Sequence, residues 1–144
     1  MQIQEEIKGK WREIMKAIHL KYEGKEKVSE SIVGIELKEN TIQITKIKEN
    51  KFIFGKNFVL VSQIFDLQKQ KVYHLERSLF SSRYSFQAMK EYSVYSYLED
   101  EKIKYLKTII DFPYVFTKFA MMKFHKIGIE ELKSKYNELL KVAQ

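Results

Sequence analysis

Cysteine is absent from this 144-residue chain, which removes disulfide frameworks, thiolate nucleophiles and cysteine-ligated zinc or iron–sulfur sites. The five glycines are scattered, so no glycine-rich phosphate loop of the kind that cradles nucleotides is available. Aspartate occurs only at Asp66, Asp100 and Asp111, and histidine only at His19, His74 and His125. That inventory is thin for a metal centre. No His-x-x-x-His, His-Glu-x-x-His, calcium-loop or Gly-x-Ser-x-Gly pattern occurs, and neither a metal nor a cofactor is expected. No run approaches the roughly 18 apolar residues of a membrane span. The opening MQIQEEIKGKWREIM puts charges where a signal peptide needs an apolar stretch, so a soluble, cytoplasmic protein is expected.

What is present is 44% hydrophobic and 14% aromatic residues, enough to bury a core in a single domain spanning 1–144. The formal net charge is +7, from 26 Lys and Arg against 19 Asp and Glu. Only Arg12, Arg77 and Arg83 are arginines. Lysine attracts phosphate as a point charge without the planar fork used for bidentate recognition, so non-specific electrostatics is favoured over sequence readout. Lysine richness with scarce arginine and alanine also fits an AT-rich genome, consistent with a low-GC bacterium or its mobile elements.

Residues Ile3, Ile7, Trp11, Ile14 and Ile18 recur at helical spacing, which predicts a helix over 1–24 ending at Gly24. Lys8, Arg12 and Lys16 form a basic stripe on another side of it. Between 31 and 76 the chain turns to short Ile-, Val- and Phe-rich runs, IVGIEL, TIQITKIK, KFIF, NFVLVSQIF and KVYHL, which predict an antiparallel meander of about five strands. The triplet Lys-Glu-Asn occurs at 38–40 and at 48–50 between apolar runs, and both copies are expected to be turns. Clean alternation at Ile42 and Ile44 slips to Ile47, suggesting a bulge or early strand end. From 81 to 143 a helical period predicts three or four helices: one over 81–98, with a strand at 93–97 as the alternative, and one over 101–110. Asp111 as N-cap with Pro113 starts a third that Gly128 stops, and a last one runs over 129–142. The expected fold class is α+β: an N-terminal helix, the meander, and a C-terminal helical cluster.

Tyr73-His74-Leu75-Glu76-Arg77 is the best enzymatic candidate, because His74 and Glu76 share one strand face and a histidine beside a carboxylate can act as a general base. Glu36-x-Lys38 resembles the end of restriction-type nuclease motifs, but those need an upstream aspartate and none precedes Asp66. Aromatic density is the most distinctive feature. Twelve Phe and Tyr residues lie between Phe80 and Phe124, more than one short set of helices can bury on one side. Tyr92, Tyr95, Tyr97, Tyr114 and Phe116 are therefore candidate partner-binding residues.

The reading is a non-enzymatic binding protein, an accessory or regulatory component docking on a larger protein or nucleoprotein assembly, with a phage- or plasmid-encoded inhibitor as one form. The first alternative is a lysine-rich, non-sequence-specific nucleic-acid binder using Lys8, Arg12, Lys16, Arg77 and Arg83, with the three tyrosines at 92–97 as stacking candidates. The second is a small metal-independent hydrolase or nuclease. The C-terminal helix carries an apolar seam suited to homo-oligomerisation.

Overall fold

The computed structural model describes residues 2–52, 55–81, 90–110 and 118–143. In chain order they form β1 (Gln2–Lys8), α1 (Trp11–Leu20), β2 (Val28–Lys38), β3 (Thr41–Phe52), β4 (Gly55–Asp66), β5 (Lys71–Ser81), β6 (Lys90–Tyr97), β7 (Lys102–Ile110) and α2 (Lys118–Ala143). All seven strands join one sheet, in the order β1-β7-β6-β5-β4-β3-β2, and every neighbouring pair is antiparallel. Both helices pack on one face of it. The buried core joins Ile14, Ala17 and Ile18 of α1 and Ile129 and Leu132 of α2 to Ile7, Ile44, Phe65, Val72, Tyr95, Ile103 and Tyr105 of the sheet. No described helix is long and apolar enough to cross a membrane.

The class α+β stands, but the expected arrangement does not: the described residues form a seven-stranded sheet with one C-terminal helix, and among them there is neither a five-stranded meander nor a C-terminal helical cluster. The helix expected over 1–24 is a strand followed by a shorter helix. A spacing of four residues is shared by both periods, since Ile3 and Ile7 fall on one face of a strand as well as of a helix. Gly9 makes the switch possible: a Cβ there would stand 2.9 Å from Tyr136 and 3.0 Å from Ile14. Gly24, at φ 78°, does close the turn after α1.

The sheet expected over 31–76 gains β1, β6 and β7. KFIF is not a strand of its own; its first residues complete β3. Only the first Lys-Glu-Asn is a turn, and the second lies inside β3. The helical region expected over 81–143 contains one helix among the described residues. The strand alternative at 93–97 is what forms, within β6, and 101–110 is a turn followed by β7. Inward Ile103, Tyr105, Lys107 and Ile109 alternate in β7 with outward Lys104, Leu106 and Thr108. One buried lysine breaks the period-two pattern and leaves a false helical one.

Gly128 does not stop a helix. A single α2 runs through it, and its missing side chain admits the Lys21 ammonium, 3.2 Å from where a Cβ would lie. The expected N-cap Asp111, Pro113 and residues 82–89 of the expected 81–98 helix lie outside the described residues; the rest of that helix is replaced by the end of β5 and by β6.

Candidate functional site

Strand alternation sends one set of side chains from each strand toward the helices, and the register aligns those sets in rows across the sheet. Near the β2–β3, β4–β5 and β6–β7 turns the inward rows are apolar: Ile42 and Ile44, Phe65, Val72, Tyr95 and Ile103. Farther along the same strands the rows become ionic. Lys46 and Lys48 follow Ile42 and Ile44 on β3, His74 and Glu76 follow Val72 on β5, and Glu91 and Lys107 lie beyond Tyr95 and Tyr105.

All of these ionic groups except Lys46 line a chamber of about 250 Å³ between the sheet, the C-terminal end of α1 and the middle of α2. Its floor carries Lys48, Glu76, Glu91 and Lys107; Tyr22, Tyr95, Tyr105 and Phe124 supply aromatic walls. Lys48 Nζ donates to Glu76 Oε1 at 2.6 Å and lies 5.0 Å from the centre of the Tyr22 ring. Lys107 pairs with Glu91.

A continuous hydrogen-bond chain fixes the Glu76 side of the chamber. Gln63 Nε2 donates to the Ile18 carbonyl at 3.3 Å and lies 3.1 Å from His74 Nδ1. Because that amide donates, Nδ1 accepts, and the His74 proton sits on Nε2, 3.1 Å from Glu76 Oε1. Glu76 therefore accepts from both Lys48 and His74. Burial raises the carboxyl pKa of Glu76, but the Lys48 ammonium and His74 donation outweigh it and hold the group well below its usual range. Desolvation likewise opposes the Lys48 charge, yet the Glu76 carboxylate, with Tyr22 beside it, keeps the lysine above its ordinary value. Lys107 is raised in the same way by Glu91 against desolvation.

On the opposite wall, His125 of α2 is 2% exposed, its Nε2 3.0 Å from Glu5 Oε1 and its ring stacked on Tyr105 at 5.5 Å between centroids. Its Nδ1 is buried with no partner among the described residues. Ser93 Oγ lies 3.2 Å from the Tyr105 hydroxyl, and burial raises the pKa of both Tyr95 and Tyr105. Next to the chamber, Lys46 donates to the His19 carbonyl at 2.7 Å, at the C-terminal end of α1 where a cation complements the unpaired carbonyls, and to Glu30 at 3.3 Å. Burial lowers the Lys46 pKa despite Glu30. No group of three or more His, Asp or Glu among the described residues could hold a metal ion.

The residues expected to act together are dispersed. Tyr95 is 5% exposed and forms the chamber wall, 4.6 Å from Tyr105. Tyr97 faces the same side and packs on Trp11 at 5.9 Å. Tyr92 points outward from the opposite face; its hydroxyl pKa is raised by burial and by Tyr73 nearby. Tyr114, Phe116 and Arg83 lie outside the described residues. Arg12 and Lys16 are exposed on α1, whereas Lys8 and Arg77 project from the sheet face that the helices leave uncovered.

The chamber residues missed in the sequence are Lys48, Gln63, Glu91 and Lys107. A signal for one of them existed. The slip from Ile44 to Ile47 is no break in β3, which pairs with β4 without interruption: the register shift here lies in β2, between Ile32 and Gly34 opposite Lys46 and Thr45, and Lys46 and Lys48 keep the inward phase while Ile47 points out.

No family model and no curated protein matches this chain. Among solved structures it is similar over nearly its whole length to the crystal structure of Ara h 8.0201, with a TM-score of 0.67, 14% identity and 98% of each chain covered. The fold is Bet v 1-like. A second structure, TTHA0849 from Thermus thermophilus, matches at TM-score 0.58 and 10% identity over 100% of this chain and 98% of that one. At such identities the likeness concerns the fold alone.

Proposed function

We propose that this chain is a non-enzymatic binding protein that takes a small, polar, charge-bearing molecule into the chamber between sheet and helices. The observation carrying this reading is the lining itself, in which two Lys–Glu pairs and aromatic rings face one recessed, partly open volume of about 250 Å³. Buried ion pairs contribute little net stability compared with apolar packing, so a core selected for stability alone would not hold them here. The volume is below the roughly 300–1,000 Å³ of drug-sized sites, which favours a small metabolite. Binding is favoured over catalysis because the groups are already committed to each other. Both ring nitrogens of His74 are engaged, so its lone pair is not free for general-base work. Burial of Tyr95 also shifts the emphasis from a protein-docking surface toward the interior.

The test is native mass spectrometry of chain purified without denaturation. It is paired with an NMR titration against small carboxylates, amines and amino acids, watching residues 48, 76, 91 and 107. The expected result is saturable shifts confined to the chamber, lost in Lys107→Met. Absence of both a copurified molecule and any saturable shift would refute the reading. Recovery of chemically altered ligand would replace it with the hydrolase alternative.

A further inference from the structure

The face of the sheet that the helices leave bare has a charge pattern of its own. Outward positions of β5, β6 and β7 carry five cations, Lys71, Arg77, Lys90, Lys102 and Lys104, and no acid. None of the five forms an ion pair among the described residues. Three of them take part in directly opposed like-charge pairs: Arg77 faces Lys90 across the β5–β6 ladder, and Lys102 faces Lys8 across the β1–β7 ladder. Like charges opposite each other destabilise a sheet. Their occurrence at both ends of one face points to an anion that spans it. Along β7 the two pairs are eight residues apart, roughly 27 Å at strand rise.

Between these ends the face is aromatic and apolar. Tyr92 stands opposite Leu75, and Tyr73 lies opposite Val94 on the adjoining diagonal, so the two rings are neighbours. Tyr92 is 38% exposed and Leu75 43%. The nearest outward acids, Asp66 and Glu6, sit at the margins opposite Lys71 and Lys104.

From this arrangement we infer that the outer face of β5, β6 and β7 binds a single nucleic-acid strand, with its phosphates on the two cationic ends and unpaired bases stacked on Tyr73 and Tyr92. A polyanion of any kind would meet the charges. The exposed Tyr92 ring, with the half-buried Tyr73 ring beside it and cations flanking both, selects one that also offers flat, unpaired bases. A duplex buries those faces, and lysines with one arginine supply attraction without base readout.

The experiment is fluorescence anisotropy with a labelled oligothymidylate of roughly 12 nucleotides, a length within the range such sites cover. Binding is expected at low salt, weakening linearly on a log–log plot by about 0.7 per phosphate engaged. Tyr92→Ala should weaken it about tenfold while Tyr92→Phe, which keeps the ring, leaves it unchanged. Arg77→Gln combined with Lys90→Gln should lower the salt slope by about 1.4. Equal binding of the matching duplex with no effect of Tyr92→Ala, binding only to anionic lipid vesicles, or no binding of the oligothymidylate at low salt would each overturn the inference. Both tyrosines lie on the face opposite the chamber, so this result is independent of the ligand titration.

Discussion

Replacing Glu76 by glutamine removes one negative charge from the buried network and almost no volume. Glu76 and Lys48 are 9% and 8% exposed at the side chain, and the ammonium–carboxylate distance is 2.6 Å. In Glu76→Gln, Lys48 remains a buried cation with an amide oxygen and the Tyr22 ring, 5.0 Å away, in place of its carboxylate. Breaking a buried pair from one side costs about 3–5 kcal/mol. Lys48→Met should cost less, about 2 kcal/mol, because Glu76 keeps its hydrogen bond from His74. Removing both charges together should return stability to within about 1–2 kcal/mol of the parent, since no orphan ion is left. A double-mutant cycle then yields a coupling energy of about 3–6 kcal/mol. Urea unfolding followed by fluorescence of Trp11, which packs on Tyr97, reads all four proteins. A Glu76→Gln cost below about 1 kcal/mol at unchanged urea slope would refute the buried-network account.

The same pair sets a pH window. Glu76 is depressed from its ordinary 4.5, so its contribution is complete above that value and is lost as pH falls through the lower folded pKa. Lys48 is raised from 10.5, so its contribution is complete below that value and is lost as pH rises through the higher folded pKa. The stability difference between parent and the uncharged double variant should shrink as pH falls below 4.5 and as it rises above 10.5; a difference that persists unchanged at both extremes would contradict the assignment. Gly9→Ala should cost about 1–3 kcal/mol by forcing Tyr136 or Ile14 to move, measured by urea unfolding. A neutral result would mean that those side chains give way freely. Leu37→Lys, at a site 73% exposed on free edge strand β2, should leave stability within about 0.5 kcal/mol and reduce heat-induced aggregation. A loss above about 1 kcal/mol would show that this side chain is covered.

The sequence exposes those parts of the fold that are dense in Ile, Val and Phe and bounded by polar turns. IVGIEL, NFVLVSQIF and KVYHL lie within β2, β4 and β5, and the turn after Asp66 falls at 67–70. It conceals the parts that build the chamber, because a strand presenting lysine or glutamate inward loses its apolar period. Lys107 does this to β7, and Glu91 and Ser93 do it to β6, so both strands present helix-like spacing instead. His74 and Glu76 were legible as a same-face pair because they are two residues apart on one strand. Their partners Gln63 and Lys48 come from β4 and β3, 11 and 28 residues away from His74 and Glu76 respectively. No local pattern encodes that meeting; it requires the register of three strands. Gly128 misleads for a related reason, since its local cost within a helix of about 1 kcal/mol is offset by a tertiary contact with Lys21.

The two faces of the sheet depart from the rules of stable packing in complementary ways. Inside, charges that would be cheaper in water are paired and buried around a recessed, partly open volume. Outside, like charges that would be better separated are set opposite each other. Neither pattern stabilises the free protein relative to a simple apolar core and a mixed-charge surface. The ordinary core is nevertheless present, concentrated near the β2–β3, β4–β5 and β6–β7 turns, where Ile14, Ile18 and Leu132 seal the sheet. Apolar packing and charge thus occupy different lengths of the same strands. The apolar ends hold the fold, while the remaining lengths of β3, β5, β6 and β7 carry the charged groups on which the proposed binding sites draw.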